Sequence, residues 1–255
     1  MSDGLSPVWA GFLASLLAGG ATGIGGLPIL GIGRSAIRYQ GVMLGFAAGV
    51  MLAASFFSLI VPAIGILEAK HWGRWPASFA VACALLLGGG FMLLLSRFSL
   101  DHFTQGGDVD RMGHRVWMLV AAITLHNAPE GLAVGVSFTG DAAGGGYATA
   151  LGIGIQNIPE GFAVASVLIL RHVPRVAFAG AFLSGMVEPL FGLLGAVLVG
   201  SFALLLPIAL CLAAGAMISV VMEQIAPELQ QDGKAGHASL LLGLAVMTCL
   251  DVALG

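Results

Sequence analysis

Apolar stretches of about twenty residues recur along this chain from end to end, and their length, more than any motif, limits what it can fold into. Eight of them stand out: 8–31, 42–66, 76–96, 116–140, 145–170, 175–200, 203–226 and 237–254. An α-helix of about 20 residues spans the hydrocarbon of a bilayer, where only structures that satisfy their own backbone hydrogen bonds are stable. Only 9% of the 255 residues are charged and 58% are hydrophobic, whereas a soluble domain carries about 25% charged residues. The expectation is an all-α integral membrane protein with eight transmembrane helices in one bundle, a single transmembrane domain over 1–255 with the lipid bilayer around it. The 39 glycines suit helices whose backbones approach closely in lipid.

Charge at the connections gives an orientation. With the N-terminus outside, one side of the membrane carries Arg34, Arg38, Arg97, Arg111, Arg115, Arg171, Arg175 and Lys234, and the other only Lys70 and Arg74. Eight basic residues against two place the richer side in the cytoplasm and both termini outside. The sequence begins Met-Ser-Asp-Gly, without the positive region of a cleavable leader, so the first apolar stretch is expected to be retained. The connections are short except 97–115, a cytoplasmic loop with Asp101, His102, Asp108, Asp110 and His114, read most simply as solvated. Cys83, Cys211 and Cys249 lie far apart in apolar runs and read as packing residues. A net charge of -3 and no basic patch argue against a nucleic-acid partner.

Carboxylates break the apolar pattern. His126-Asn-Ala-Pro-Glu-Gly-Leu-Ala-Val134 is echoed by Gln156-Asn-Ile-Pro-Glu-Gly-Phe-Ala-Val164 on the next stretch. Glu130, Glu160, Glu188 and Glu223 fall deep in predicted spans, while Glu228 and Asp251 fall near span ends. No Lys or Arg lies deep enough to neutralise them, so each needs a proton, a hydrogen bond or a cation. His126 and Asn127 share a helix face with Glu130, and Gln156 and Asn157 share one with Glu160. Pro129 and Pro159 leave the carbonyls of Leu125 and Ile155 without their helical donors. The copies fall on successive spans that cross in opposite senses, an inverted repeat of the kind that places a transporter's binding site near the midplane. Imidazole, carboxylate and amide together suit divalent transition metals better than sodium or potassium.

The His-Asn-x-Pro-Glu-Gly motif followed by a second Pro-Glu-Gly resembles the ZIP (Zrt/Irt-like) divalent-metal transporters, and the bacterial branch of that family in particular. Met43-Leu-Gly-Phe-Ala-Ala-Gly-Val-Met51, Gly185-Met-Val-Glu-Pro-Leu190 and the ending Asp251-Val-Ala-Leu-Gly255 extend the resemblance over most of the chain. It implies a secondary transporter that carries zinc above all, and also iron, manganese, cobalt or cadmium, into the cytoplasm across the cell's inner (plasma) membrane. It implies a binuclear centre with Met51, His126, Glu130, Gln156 and Glu160 around one ion, and Asn127, Glu130, Asn157, Glu160 and Glu188 around the other. It also implies one helix group moving against another. Asn157 departs from relatives that are acidic there, and Glu223-Gln224 stands where some have His-Glu, which leaves Glu223 as a pathway residue rather than a core ligand.

The divalent metal is then substrate, no separate cofactor is expected, and a homodimer is left open. An enzyme is not expected: the zinc-protease pattern His-Glu-x-x-His is absent, and no general base stands apart from the ligand candidates. The alternative is a proton-coupled carrier whose glutamates titrate without metal. Ser55 and Ser58 read as hydroxyls bonded to their own helix. Gly45-x-x-x-Gly49 reads as helix packing.

Overall fold

The computed structural model describes residues 6–104, 124, 127–139, 143–201 and 205–254. Among these residues the structure is all-helical, with no strand. Ser6 caps α1 (Pro7–Gly26) by accepting the Trp9 N–H, and Pro7 takes the first helical position, where a missing N–H is harmless. After a turn come α2 (Ile29–Ile32) and a 3₁₀ segment (Gly33–Tyr39), which runs into α3 (Gln40–Ala53). The first helix therefore stops at Gly26, five residues before the predicted 31. Gly33 has φ +53, which favours glycine there.

A π-helical segment (Ala54–Ile60) joins α3 to α4 (Val61–Ala69), and a second (Val221–Ile225) joins α10 (Leu205–Val220) to α11 (Ala226–Leu254). Both precede a proline. Pro62 and Pro227 have no N–H to offer Ser58 and Glu223, and the chain bonds one residue further back instead: Val61 N–H to Phe56 O, and Ala226 N–H to Val221 O. Helix α5 (Arg74–Thr104) continues eight residues into the expected loop 97–115, and the rest of that loop lies outside the described residues. In the stretch expected over 116–140, the helical turns 127–137, here α6, are described.

α7 (Ala143–Leu168) contains Pro159. The span expected over 175–200 is two helices, α8 (Pro174–Gly185) and α9 (Glu188–Ser201), parted by a turn at Met186 and Val187. Pro189 is the physical reason, since it withholds the N–H that the Gly185 carbonyl would take. α11 begins eleven residues before the expected 237 and breaks at Gly233, whose φ is +59. Among the described residues six stretches are long and apolar enough to cross a membrane: Pro7–Ala69, Arg74–Leu94, Gly146–Leu168, Pro174–Val199, Leu205–Glu223 and Gly233–Ala253. The first is 63 residues long, far more than one crossing needs. The protein is a multi-pass membrane protein.

The helices pack in two groups. α1 lies against α7, α8 and α9, and α7 also meets α8. Elsewhere α3 pairs with α11, and α5 with α10, while α3 rests on α7 to join the groups. Glycine makes the contacts within each group backbone to backbone. A Cβ on Gly131 would strike the main chain of Glu188, and one on Gly161 that of Thr22. In the other group Gly49 presses on the Leu240 carbonyl and Gly243 on that of Phe46. Gly45 and Gly49 thus serve packing against α11. Across the seam Gly152 meets the flexible end of the Met247 side chain. An apolar cavity of about 560 Å³ also lies between the groups, lined by Phe91, Met92 and Ile208 on one side and Pro129, Leu132 and Phe191 on the other.

Candidate metal site

The polar residues singled out by sequence converge inside the α1, α6, α7, α8 and α9 group. Asn127, Glu130, Gln156, Asn157 and Glu188 are fully buried, and Glu160 is 3% exposed. Burial of so many polar groups is tolerable in a membrane only if each finds a partner. The amides do so through their nitrogens. Asn127 Nδ2 donates to the Ser184 carbonyl at 2.6 Å. Gln156 Nε2 donates to Glu130 Oε1 at 2.5 Å, bringing α7 to α6. Asn157 Nδ2 donates both to Glu188 Oε1 at 2.7 Å and to the Ala18 carbonyl at 2.8 Å, so one side chain ties α7 to α9 and to α1. The carboxylates of Glu130, Glu160 and Glu188 stand near enough for their charges to act on one another.

The oxygens behave differently. Asn127 Oδ1, Glu130 Oε2, Gln156 Oε1, Asn157 Oδ1, Glu160 Oε1 and Oε2, Glu188 Oε2 and Thr22 Oγ1 are buried and meet no hydrogen-bond donor among the described residues. Every side-chain atom left in this condition is an oxygen. Each of the three amides is anchored by its N–H and leaves its acceptor bare. A buried acceptor without a donor costs about 1–3 kcal/mol, and such groups call for a water or an ion to meet them. Several on one site form a hard donor set that fits a hydrated or partly dehydrated divalent cation. Among the described residues no three His, Cys, Asp or Glu side chains are gathered closely enough to hold an ion by themselves.

Not every candidate joins this cluster. His126 lies outside the described residues. Met51 is fully buried in the apolar core with Ala133, Val134 and Ile153, each one turn from Glu130 or Gln156. Glu223 is exposed on the second π segment, at the end of the stretch Leu205–Glu223 rather than deep within it. Ser55 bonds its own helix at the Met51 carbonyl, 2.7 Å away, as expected. Ser58 does not: it donates to Asp251 Oδ1 of α11 at 2.6 Å, so Asp251 is held by a protein partner. Cys83, Cys211 and Cys249 are unpaired.

Three participants escaped the sequence reading. Two are backbone carbonyls, Ala18 and Ser184, which carry no side-chain signature. The third is Thr22. The neutral Asn157 also acquires a reason: an aspartate would have no N–H for Glu188 or for Ala18.

Comparison with known proteins places the chain among relatives. Residues 99–251 match the family described as ZIP Zinc transporter. The zinc transporter ZIPB of Bordetella bronchiseptica is 45% identical over 248 residues, covering 92% of this chain and 78% of ZIPB. The zinc transporter GufA of Myxococcus xanthus is 38% identical over 255 residues, 96% of this chain and 99% of GufA. The zinc transporter ZIP11 of Homo sapiens is 33% identical over 342 residues, and all of both chains is covered. The motif that breaks the apolar pattern, the helices that bury it and these relatives agree: the chain belongs to the ZIP family of metal transporters.

Proposed function

We propose that this protein carries divalent transition-metal ions, zinc foremost, across the inner (plasma) membrane into the cytoplasm. The path runs through a binuclear site near the midplane made by Asn127, Glu130, Gln156, Asn157, Glu160 and Glu188. His126 and Met51 complete the half nearer Gln156. The observation that carries the reading is the cluster of buried oxygens with anchored amides and no donors. Oxygen ligands hold zinc less firmly than a closed set of thiolates or imidazoles would, and a transported ion has to leave. In this reading the chain crosses eight times with both termini outside, and the doubled motif forms an inverted pair. The α1, α6, α7, α8 and α9 group moves against the rest. Backbone contact inside each group and a side-chain seam between them support such a motion.

Purified protein in proteoliposomes with an inward zinc gradient is expected to accumulate zinc. Gln156→Leu, which removes the amide that holds Glu130, is expected to lower uptake about tenfold, the scale found when a group orienting a metal ligand is lost. Undiminished uptake by this variant would contradict the site. Proton flux from wild-type protein that neither binds nor moves metal would instead support the proton carrier.

A further inference from the structure

Hydroxyls in apolar helices ordinarily donate to a carbonyl one turn back. Among the described residues five buried serines do: Ser15 to Phe12 O, Ser55 to Met51 O, Ser166 to Ala163 O, Ser184 to Ala181 O and Ser239 to Gly236 O, at 2.7–2.9 Å. Ser58 crosses to Asp251 instead. Thr22 is the exception. It is 1% exposed, and its Oγ1 has no partner among the described residues. One carbonyl within its reach, four residues back in α1, is that of Ala18, which accepts the Asn157 amide at 2.8 Å. Thr22 is also wedged between the elements of the site. Its main chain abuts Gly161, the neighbour of Glu160, and its Cβ and Oγ1 lie against Gly185. Gly185 follows Ser184, whose carbonyl anchors Asn127.

We propose that Thr22 is a binding residue of the metal path, its hydroxyl oxygen meeting the ion or the ion's bound water in the Asn127, Asn157 and Glu188 half of the site. The inference rests on the reading of that cluster as a metal site. A buried hydroxyl with no partner, packed against Gly185 and on a residue that abuts Gly161 beside Glu160, can accept the ion through a lone pair. As a hard donor it favours manganese over the softer cadmium, so Thr22 contributes to selectivity as well as affinity.

The test is calorimetric titration of Mn²⁺ and of Cd²⁺ into the full-length protein in detergent, for the parent, Thr22→Val, Thr22→Ala and Thr22→Ser. Valine has nearly the shape of threonine without the hydroxyl, and alanine removes the hydroxyl without added bulk should valine not fold. The expected result is about a tenfold loss of Mn²⁺ affinity in both, a smaller loss for Cd²⁺, and parent-like binding in Thr22→Ser. An idle hydroxyl would behave otherwise: its replacement by methyl would leave binding unchanged and hold or raise the melting temperature. That outcome, or an equal loss in Thr22→Ser, overturns the proposal. A parent protein that binds neither ion in the same titration overturns the metal site itself, so the two failures are distinct.

Discussion

Glu130→Gln protein is expected to bind zinc about 100-fold more weakly than the parent, at the upper end of what the loss of a metal-site group costs, and yet to melt at a higher temperature without metal. The two signs come from one change. Glu130 is fully buried beside two other carboxylates, with one oxygen held by Gln156 and the other bare. An amide in its place keeps the oxygen that accepts from Gln156. Its NH₂ can donate to the bare oxygens of Glu160 and Glu188. Each new hydrogen bond contributes about 0.5–1.5 kcal/mol. The same NH₂ displaces an anionic ligand atom from the site. A carboxylate kept only for structure predicts the opposite: lower metal-free stability and unaltered zinc binding. Thermal melts and titrations on one preparation read both signs.

Gly161→Ala is expected to destabilise the protein by about 1–3 kcal/mol, the range for overpacking, and to weaken metal binding with it. The added Cβ would sit on the Thr22 carbonyl group, main-chain atoms that cannot turn aside as a side chain can. α1 and α7 must separate, and with them the bond from Asn157 to the Ala18 carbonyl. Gly154→Ala supplies the control seven residues earlier on the same helix. Its Cβ would lie 3.8 Å from the Ala18 Cα, an ordinary contact, and alanine favours helix over glycine by about 1 kcal/mol. That variant should be as stable as the parent or more so. Equal melting temperatures for the two variants would contradict the backbone-contact account of this helix group.

How much of this was legible beforehand follows from where the physics is local. Glu130, Glu160, Glu188, Asn127, Gln156 and Asn157 announced themselves because carboxylates and amides in an apolar run have few bland explanations, and all six are buried. Their hydrogen bonds join residues 26, 31 and 57 positions apart, a proximity that the doubled motif only suggested. Helix ends were less legible. Pro189 signalled a disturbance near Glu188, but whether a proline kinks a helix or parts it into α8 and α9 depends on what packs around it. Pro62 and Pro227 likewise gave no sign of becoming π segments, nor that Glu223 would lie exposed on the second of them. Thr22 was least legible of all. A threonine in an apolar helix reads as bonded to its own backbone, and nothing in the sequence marks Thr22 as one whose hydroxyl is not.

The central claim is that divalent metal binds among these oxygens in the middle of the membrane. Anomalous diffraction from zinc-soaked or cadmium-soaked crystals tests it most directly. The account predicts anomalous peaks enclosed by Glu130 and Glu160, with Gln156 on one side and Asn127, Asn157 and Glu188 on the other. Peaks confined to surface histidines such as His71 or His237, with none among these six residues at saturating metal, would contradict it.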